Sequence, residues 1–270
     1  MKKILAIVLA AMMLCFCLAG CAGGNADNSN ADGDNADNKK KDFVLGLDDS
    51  FPPMGYKDEN NDIVGFDIDL AKEVCDRLGY NLKPQPIDWN AKEVELNNGT
   101  IDCIWNGMSI NDERKQNMSL SIPYMKNTQA VVVLADSDIK TLADLKGKLV
   151  GAQAGSTAMD AIDANPDVKA SFGELQELKD NTMAIQELKN GTLDAVVADE
   201  ILINYYTSSD SSAYRLLDEN LGEEEYAIGF KKDNTELTEA VNGALKEIVA
   251  DGTFAKISEK WFGKDVSIIG

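Results

Sequence analysis

The chain has 270 residues, 44% of them hydrophobic, which is enough for a buried core in one large domain or two of ordinary size. Aspartate and glutamate number 46 against 26 lysines and arginines, and the net charge of −20 disfavours contact with nucleic acid and with anionic membrane surfaces. The chain contains no histidine, which excludes Ser-His-Asp and Cys-His catalysis, histidine-ligated metal sites and the usual general base near neutral pH.

The first twenty residues have the pattern of an export signal. Two lysines form a basic start, and the apolar run 4–18 is short for a membrane span. Leu18-Ala19-Gly20-Cys21 resembles the bacterial lipobox, which implies cleavage before Cys21 and acylation of its sulfur. An ordinary signal peptide with an incidental cysteine is the alternative. We therefore expect a lipoprotein signal peptide over 1–20, with Cys21 carrying lipid such as palmitate.

The segment 21–42 predicts a flexible tether. After Cys21 it consists almost entirely of Asn, Asp, Ala, Gly, Ser and Lys, so it has little apolar surface to bury. Within it, 32–37 superficially resembles a calcium loop, but alanine stands where an oxygen ligand is needed and no glutamate closes the loop. We interpret this run as part of the linker.

Only Cys75 and Cys103 remain after the signal is removed and Cys21 is acylated. A disulfide is conceivable outside the cell. However, Cys75 falls on the apolar face of a predicted helix and Cys103 within a predicted strand, where free cysteine serves as a small buried hydrophobe. We expect two buried thiols.

Strands and helices alternate after the tether, as is typical of α/β folds. Residues 43–47 predict a short strand and 51–55 a turn. Asp67 is predicted to cap a helix that ends at Gly79. The apolar face of this helix comprises Ala71, Val74, Cys75 and Leu78.

An internal echo indicates two similar units. Glu-Leu-Asn-Asn-Gly-Thr-Ile-Asp at 95–102 returns as Glu-Leu-Lys-Asn-Gly-Thr-Leu-Asp at 187–194. Each copy predicts a helix, a glycine cap and a buried strand, over 101–105 and 193–198 respectively. A chance echo is the alternative, because helices often end at glycine.

Further elements follow from local patterns. Thr141 and Asp144 have the spacing of a capping box, which predicts a short helix before the strand 148–152. Helical spacing of apolar residues predicts two more helices, over 237–249 and 255–261.

Residues that follow predicted strands are the candidates for a binding site, because ligands of open α/β sheets lie beyond the carboxyl ends of the strands. Arg114 can grip a carboxylate, although a lone arginine more often makes a surface ion pair. Residues 155–157 precede a predicted helix, where their backbone N–H groups can bind an anion. The alternative is that they only cap the helix and bind no ligand. Asp199 can receive an ammonium group, or it is simply solvated. Phe51 and Trp89 either sandwich a ligand or plug their own lobes; this remains open.

Five ordered motifs lie between residues 43 and 263. They are FPPMGY at 51–56, GFDIDLA at 65–71, NGMSINDERK at 106–115, QAGST at 153–157 and DGTFAK at 251–256. Together they resemble the polar-amino-acid-binding proteins of ATP-binding-cassette importers, the family 3 solute-binding proteins.

The resemblance implies an α/β type II periplasmic-binding-protein fold, with two α/β lobes, a ligand cleft and two crossover strands. The crossovers are expected near 125–129 and 221–226. Lobe 1 is expected over 43–126 plus 225–270, and lobe 2 over 127–224.

The same resemblance assigns roles to the site residues. It implies that Arg114 and Thr157 hold the α-carboxylate of the ligand and Asp199 its α-ammonium group, while Gly107 and Ser109 add backbone and hydroxyl bonds. An anion site opposite a carboxylate fits a zwitterion.

The side chain of the ligand is expected to be polar. The resemblance implies that Phe51 and Trp89 stack on it, and the polar residues Asp48, Asn106 and Gln153 surround it. Asn106 stands where smaller residues are usual, and the serine at 109 replaces the usual threonine. Glutamine, cystine or a basic amino acid is favoured; with no spare arginine or lysine at these positions, glutamate and aspartate are not.

The expected function is capture of a polar amino acid by closure of two lobes and its delivery to a membrane permease with ATPase subunits. We expect a monomer without cofactor, metal or nucleic-acid partner. It would be anchored to the outer face of the bacterial cytoplasmic membrane, facing the extracellular space or periplasm.

A dehydratase on the same fold would need an acidic residue placed as a general acid, and no pocket candidate is a glutamate. A sensory lipoprotein would differ only in its partner.

Overall fold

The computed structural model describes residues 40–210 and 212–270. The signal over 1–20, the lipid on Cys21, the run 32–37 and most of the tether lie outside these residues, so the interpretations placed on them stay predictions. Within the described part, no helix combines the length and the apolar character needed to cross a membrane.

Strands and short helices alternate along the described residues. The strands are β1 Lys41–Leu47, β2 Ser50–Phe51, β3 Gly55–Lys57, β4 Ile63–Val64, β5 Tyr80–Pro86, β6 Cys103–Ile104, β7 Met118–Leu120, β8 Met125–Leu134, β9 Leu149–Gln153, β10 Glu174–Leu178, β11 Ala195–Asp199, β12 Tyr214–Tyr226 and β13 Gly229–Lys231. The helices are α1 Phe66–Leu78, α2 Lys92–Asn98, α3 Asp112–Asn117, α4 Thr157–Asp163, α5 Pro166–Ser171, α6 Asn181–Lys189, α7 Glu200–Ser209, α8 Thr235–Ala250 and α9 Thr253–Phe262, with 3₁₀ turns at Trp89–Ala91 and Leu142–Leu145.

Two five-stranded sheets form the centres of two lobes, with strand orders β5-β1-β6-β13-β7 and β10-β9-β11-β8-β12. In the first, β1 runs parallel to β5 and β6; in the second, β9 runs parallel to β10 and β11. Antiparallel strands complete each sheet. This arrangement confirms the expected α/β fold with two lobes.

The long strands β8 and β12 are the crossovers. They pair antiparallel from Met125 opposite Tyr226 to Leu134 opposite Tyr214. The backbone N–H of Tyr124, just before β8, also donates to the carbonyl of Tyr226 at 3.0 Å. The chain therefore passes between the lobes along two adjacent strands, in the segments expected, while the lobe boundaries themselves stay a prediction.

The echoed motif has the same structure in both lobes. The carboxylate of Asp102 accepts a hydrogen bond from Val44 N at 2.7 Å, and that of Asp194 accepts one from Leu149 N at 2.8 Å. In return, the backbone N–H of each aspartate donates to the carbonyl of the same partner at 2.8 Å. Each motif thus ties its strand to the neighbouring parallel strand of its own sheet.

The strands after the echoed motifs differ from their predicted bounds. The first is only Cys103–Ile104, since its pairing with β1 and β13 covers those two residues, and the second runs Ala195–Asp199. The last helix begins at Thr253, earlier than predicted, directly after Gly252 in a left-handed conformation. The capping box of Thr141 and Asp144 is present as predicted.

The prediction that Asp67 caps a helix is wrong. Helix α1 begins at Phe66 after Gly65, and the Asp67 side chain is buried instead. Its carboxylate accepts hydrogen bonds from Gly107 N at 2.7 Å and from the Tyr124 hydroxyl at 3.0 Å. These two buried donors need an acceptor, and Asp67 supplies it. Burial raises the pKa of Asp67 to about 7.

Cys75 and Cys103 are free and buried, as expected. Cys75 lies on α1, and Cys103 lies in β6 between β1 and β13. Burial raises the pKa of the Cys75 thiol to about 12 and that of Cys103 well above its ordinary value. Both thiols therefore act as small core side chains.

Candidate functional site

One cavity between the lobes collects all ten residues that the sequence singled out. It is lined by Asp48, Phe51, Trp89, Asn106, Gly107, Ser109, Arg114, Gln153, Thr157 and Asp199, with Ser156 in addition. Most of these residues follow strands or begin helices, which is where α/β folds place their binding groups. Their contact with a ligand stays a prediction.

Arg114 is a buried cation in this cavity. Asn111 caps its short helix by accepting a hydrogen bond from Arg114 N at 2.7 Å. The guanidinium donates to the carbonyl of Ser109 at 2.6 Å and to that of Gly155 at 3.4 Å. None of the ion pairs within residues 40–210 and 212–270 includes Arg114, so the surface-ion-pair alternative is wrong. Burial lowers the pKa of Arg114 from its ordinary value.

A second group of polar residues surrounds Asp199. Its carboxylate accepts hydrogen bonds from Asn127 Nδ2 at 2.6 Å and from Gln129 Nε2. Both amides also donate to Glu224 Oε1 at 2.7 Å, and the Ser109 hydroxyl donates to the same oxygen at 2.5 Å. Burial, and then the neighbouring Glu224, raise the pKa of Asp199 well above its ordinary value.

Asn127, Gln129 and Glu224 were not among the predicted site residues, although they fall in or beside the segments predicted as crossovers. The available signal was the presence of polar side chains in strands that must pass between two lobes. Its meaning depends on which face of each strand is turned toward the cavity, and this is set by the pairing of β8 with β12.

Asp48 forms a third polar centre. Its carboxylate accepts hydrogen bonds from Ser50 N at 2.9 Å, from the Ser50 hydroxyl at 2.6 Å and from Gln153 Nε2 at 2.6 Å. Asn181 Nδ2 donates to Gln153 Oε1 at 2.9 Å and so orients the amide. Asn106 Oδ1 accepts from Asp48 N at 3.0 Å. Burial raises the pKa of Asp48.

The aromatic pair serves the cavity and the core together. Phe51 and Trp89 are 4% and 7% exposed, and each belongs to a hydrophobic cluster of the fold while also lining the cavity. Asp88 fixes the turn that carries Trp89 by accepting from Asn90 N at 3.0 Å. The two alternatives posed for these residues are therefore not exclusive.

Gly107 brings the backbone close to Phe51. It has φ +57°, and a Cβ at this position would lie 2.7 Å from the Phe51 ring. Its N–H already donates to the Asp67 carboxylate.

Lys92 was also not predicted. It is 5% exposed, and its Nζ donates to the carbonyl of Gly155 at 2.9 Å and to that of Trp89 at 3.2 Å, lying 5.1 Å from the centre of the Trp89 ring. Burial, together with the charge of Arg114, lowers the pKa of Lys92 to about 8. A second cation therefore stands close to Arg114, although it is not part of the cavity wall.

The two lobes are in contact around the cavity, in a closed arrangement. Besides the bonds of Gln153 to Asp48 and of Lys92 to Gly155, Asn111 Nδ2 donates to Asp160 Oδ2 at 2.7 Å. Gly155 has φ +67°, and a Cβ there would lie 2.8 Å from Asn90 Oδ1 on the other lobe. The positive φ favours glycine at this point of contact between the lobes.

The charged groups of the cavity lie at different places around it. Asp48 also borders an outer cavity with Pro86 and Lys179, whereas Arg114 borders another with Asn90 and Asp160. Asp199 lies against the crossover strands. The arrangement can hold a molecule that carries an anionic group and cationic groups at separate positions.

Comparison with known proteins shows the family of this chain. The family model of bacterial extracellular solute-binding proteins, family 3, matches residues 43–264. The chain is 32% identical over 265 residues to the arginine-binding extracellular protein ArtP of Bacillus subtilis (strain 168), covering 97% of this chain and 98% of that one. It is 29% identical over 227 residues to the L-cystine-binding protein TcyJ of Escherichia coli (strain K12), covering 83% and 84%.

A solved structure shows the same fold. The substrate-binding protein of an ABC uptake transporter from Streptococcus pneumoniae, with bound histidine, superposes with a TM-score of 0.82 at 39% identity. The match covers 84% of this chain and 95% of that one.

Proposed function

This chain belongs to family 3 of the bacterial extracellular solute-binding proteins, and we propose that it captures an amino acid with a positively charged side chain between its two lobes. The family consists of solute-binding proteins of transporters and not of enzymes, and related chains bind arginine, cystine and histidine. The chain is accordingly an extracytoplasmic amino-acid-binding protein of an ABC importer.

The charge of the cavity supports a cationic ligand. Arg114 is a buried cation, and Asp48 and Asp199 are acids, none of which takes part in an ion pair with another described residue. A buried charge is costly unless it is compensated. An amino acid with a basic side chain carries one carboxylate and two cationic groups, which is the complement of this set.

The three groups then have separate roles. Arg114 holds the α-carboxylate of the ligand, assisted by the Thr157 hydroxyl, and Asp199 receives its α-ammonium group. Asp48 receives the side-chain cation, which lies between Phe51 and Trp89. Because the ligand bonds to groups of both lobes, it stabilises the closed arrangement by its higher affinity for it.

A binding screen tests the proposal. The twenty amino acids and cystine are added to the purified protein and the shift in melting temperature is measured, since specific binding raises stability. Arginine or lysine should give the largest shift, with micromolar or tighter binding by calorimetry. A larger shift with glutamine or cystine would contradict the cationic ligand while leaving amino-acid capture intact. No shift with any of them would contradict capture itself.

Asp48→Asn tests the specificity site. The amide removes the negative charge at nearly constant shape, so arginine affinity should fall at least tenfold. Neutral glutamine should lose much less. Asp49→Asn, next in the chain and partly exposed, is the matched control and should leave both affinities unchanged. Equal losses for arginine and glutamine would remove Asp48 from side-chain recognition.

The remaining parts of the proposal concern the whole protein. We include in it a lipid anchor on Cys21, a tether over 21–42, lobes over 43–126 with 225–270 and over 127–224, a monomeric state, and delivery to a permease with its ATPase subunits. The lipobox pattern supports the anchor. Globomycin should cause the precursor to accumulate in the native host, and unchanged maturation would contradict the anchor.

A further inference from the structure

Glu224 lies beside Asp199, on a different strand and outside the cavity wall. Glu224 Oε1 and Asp199 Oδ1 accept hydrogen bonds from the same two amide groups, Asn127 Nδ2 and Gln129 Nε2. Two acidic oxygens that share two donors lie close together. Like charges at such a separation do not both ionise readily in a buried site.

Glu224 also contacts the opposite side of the cleft. The Ser109 hydroxyl, carried by the loop that leads to Arg114, donates to Glu224 Oε1 at 2.5 Å. Backbone pairing supports this contact, because Ser109 forms a β-bridge with Tyr226, two residues beyond Glu224. Glu224 is therefore held against two residues that line the cavity, Asp199 and Ser109.

The surroundings supply little positive charge to this acid pair. Strand β8 contributes the neutral amides of Asn127 and Gln129. Strand β12 contributes the buried Tyr226, and burial raises the pKa of this tyrosine well above its ordinary value. Arg114 of α3 is the cation that acts on both acids, but its guanidinium donates to two backbone carbonyls instead. No ion pair within residues 40–210 and 212–270 includes Asp199 or Glu224.

We infer that Glu224 is a positioning residue of the ammonium site, beside which Asp199 holds a proton that the ammonium group of the ligand replaces. The inference rests on the proposed function. The ligand enters with its ammonium group already charged, the proton passes from the acid pair to the solvent, and no covalent bond of the ligand changes. A cation among the shared donors allows both acids to be ionised, which the pair alone disfavours.

Proton release has a measurable consequence. Where Asp199 is protonated before binding and ionised after it, affinity rises with pH by up to tenfold per pH unit. Lys92 does not contribute to this release near pH 6, because its pKa of about 8 keeps it protonated there. Arginine as ligand also keeps its own charges across this range.

Calorimetry with L-arginine at pH 6, in two buffers of different ionisation enthalpy, counts the protons released. The wild-type protein should release a substantial fraction of one proton per arginine, and its Kd should fall as pH rises from 5 to 7. Glu224→Gln leaves Asp199 without an acidic partner. The variant should therefore release much less proton per arginine than the wild type, and its Kd should depend much less on pH. Glu224→Asp keeps an acid pair and should retain proton release.

Glu223→Gln is the matched control, since Glu223 is exposed on the same strand, and it should behave as wild type. Absence of proton release in the wild type, or equal release from Glu224→Gln, would overturn the inference while arginine still binds. Failure of arginine to bind the folded wild-type protein would instead contradict the proposed ligand. The melting temperature of each variant, measured without arginine, separates loss of fold from loss of proton release.

Discussion

Lys92 Nζ donates a 2.9 Å hydrogen bond across the cleft to the carbonyl of Gly155. The lysine belongs to α2 of the first lobe, and Gly155 follows β9 of the second. The bond is charge-assisted and largely withdrawn from water, so it contributes to the closed arrangement. Because burial accompanies closure, it also makes closure sensitive to the protonation of Lys92.

Replacement of Lys92 by methionine should weaken ligand binding about tenfold, because the closed state loses a charge-assisted bond between the lobes. Calorimetry measures the affinity. Because burial in the closed arrangement lowers the pKa of Lys92 to about 8, closure releases this proton above that pH, so the affinity of the wild type relative to the variant should rise as pH rises above about 8. Lys83→Met, at an exposed position on β5, is the control and should retain both the affinity and the pH dependence of the wild type.

Arg114→Lys should weaken amino-acid binding about 100-fold or more. Lysine keeps the charge, but it cannot form the two bonds to Ser109 and Gly155 together with a bidentate grip on a carboxylate. Arg114→Ala should abolish binding in calorimetry. Lys115→Ala, the next and exposed residue of the same helix, should bind as wild type; retained micromolar affinity in Arg114→Ala would remove Arg114 from the site.

Asp67→Asn should change how stability depends on pH. The folded-state pKa of Asp67, about 7, lies above its ordinary value of 3.8. Asp67 therefore binds its proton more tightly in the folded protein than in the unfolded chain, and the folded protein loses stability as pH rises between these two values. From pH 5 to 8 the wild type should therefore lose about 2 kcal/mol more than the variant. Denaturant unfolding at several pH values measures the difference.

Asp76→Asn is the control for this series. Asp76 is an exposed acid of the same helix, and its hydrogen bond and ion pair with Lys72 lower its pKa, so its contribution is present above its ordinary pKa and lost only in more acidic solution. Between pH 5 and 8 this variant should keep the wild-type slope. An identical slope in Asp67→Asn would contradict a buried carboxyl group that gains its proton near neutral pH.

Asp102→Ala and Asp194→Ala should each destabilise the protein by about 1 kcal/mol, since each removes a side-chain hydrogen bond to the neighbouring strand. The two sites lie in different lobes and share no partner, so the double variant should lose the sum of the single losses. Chemical denaturation measures all three. A clear departure from additivity would show that the equivalent units are energetically coupled.

The sequence predicted the fold and much of the cavity. Alternation of strands and helices, and the rule that ligands lie beyond strand ends, led to residues 48–51, 106–114, 153–157 and Asp199. Loop context added Trp89, and the motif resemblance then assigned a role to each lining residue. These signals are local or follow chain order, so they can be read without knowing which elements meet. The echo could be read for the same reason, since each copy is one continuous run.

Only the tertiary structure decided what Asp67, Lys92 and Glu224 do. Asp67 meets Gly107 across 40 positions, Lys92 meets Gly155 across 63, and Glu224 meets Gln129 across 95. On a sequence, an acid near a helix start, a lysine on a polar helix and a glutamate among other acids all resemble solvated residues. Burial, and with it the need for a partner, arises only when distant segments pack together. The lobe contact around Lys92 and the acid pair at Glu224 are therefore properties of the folded chain.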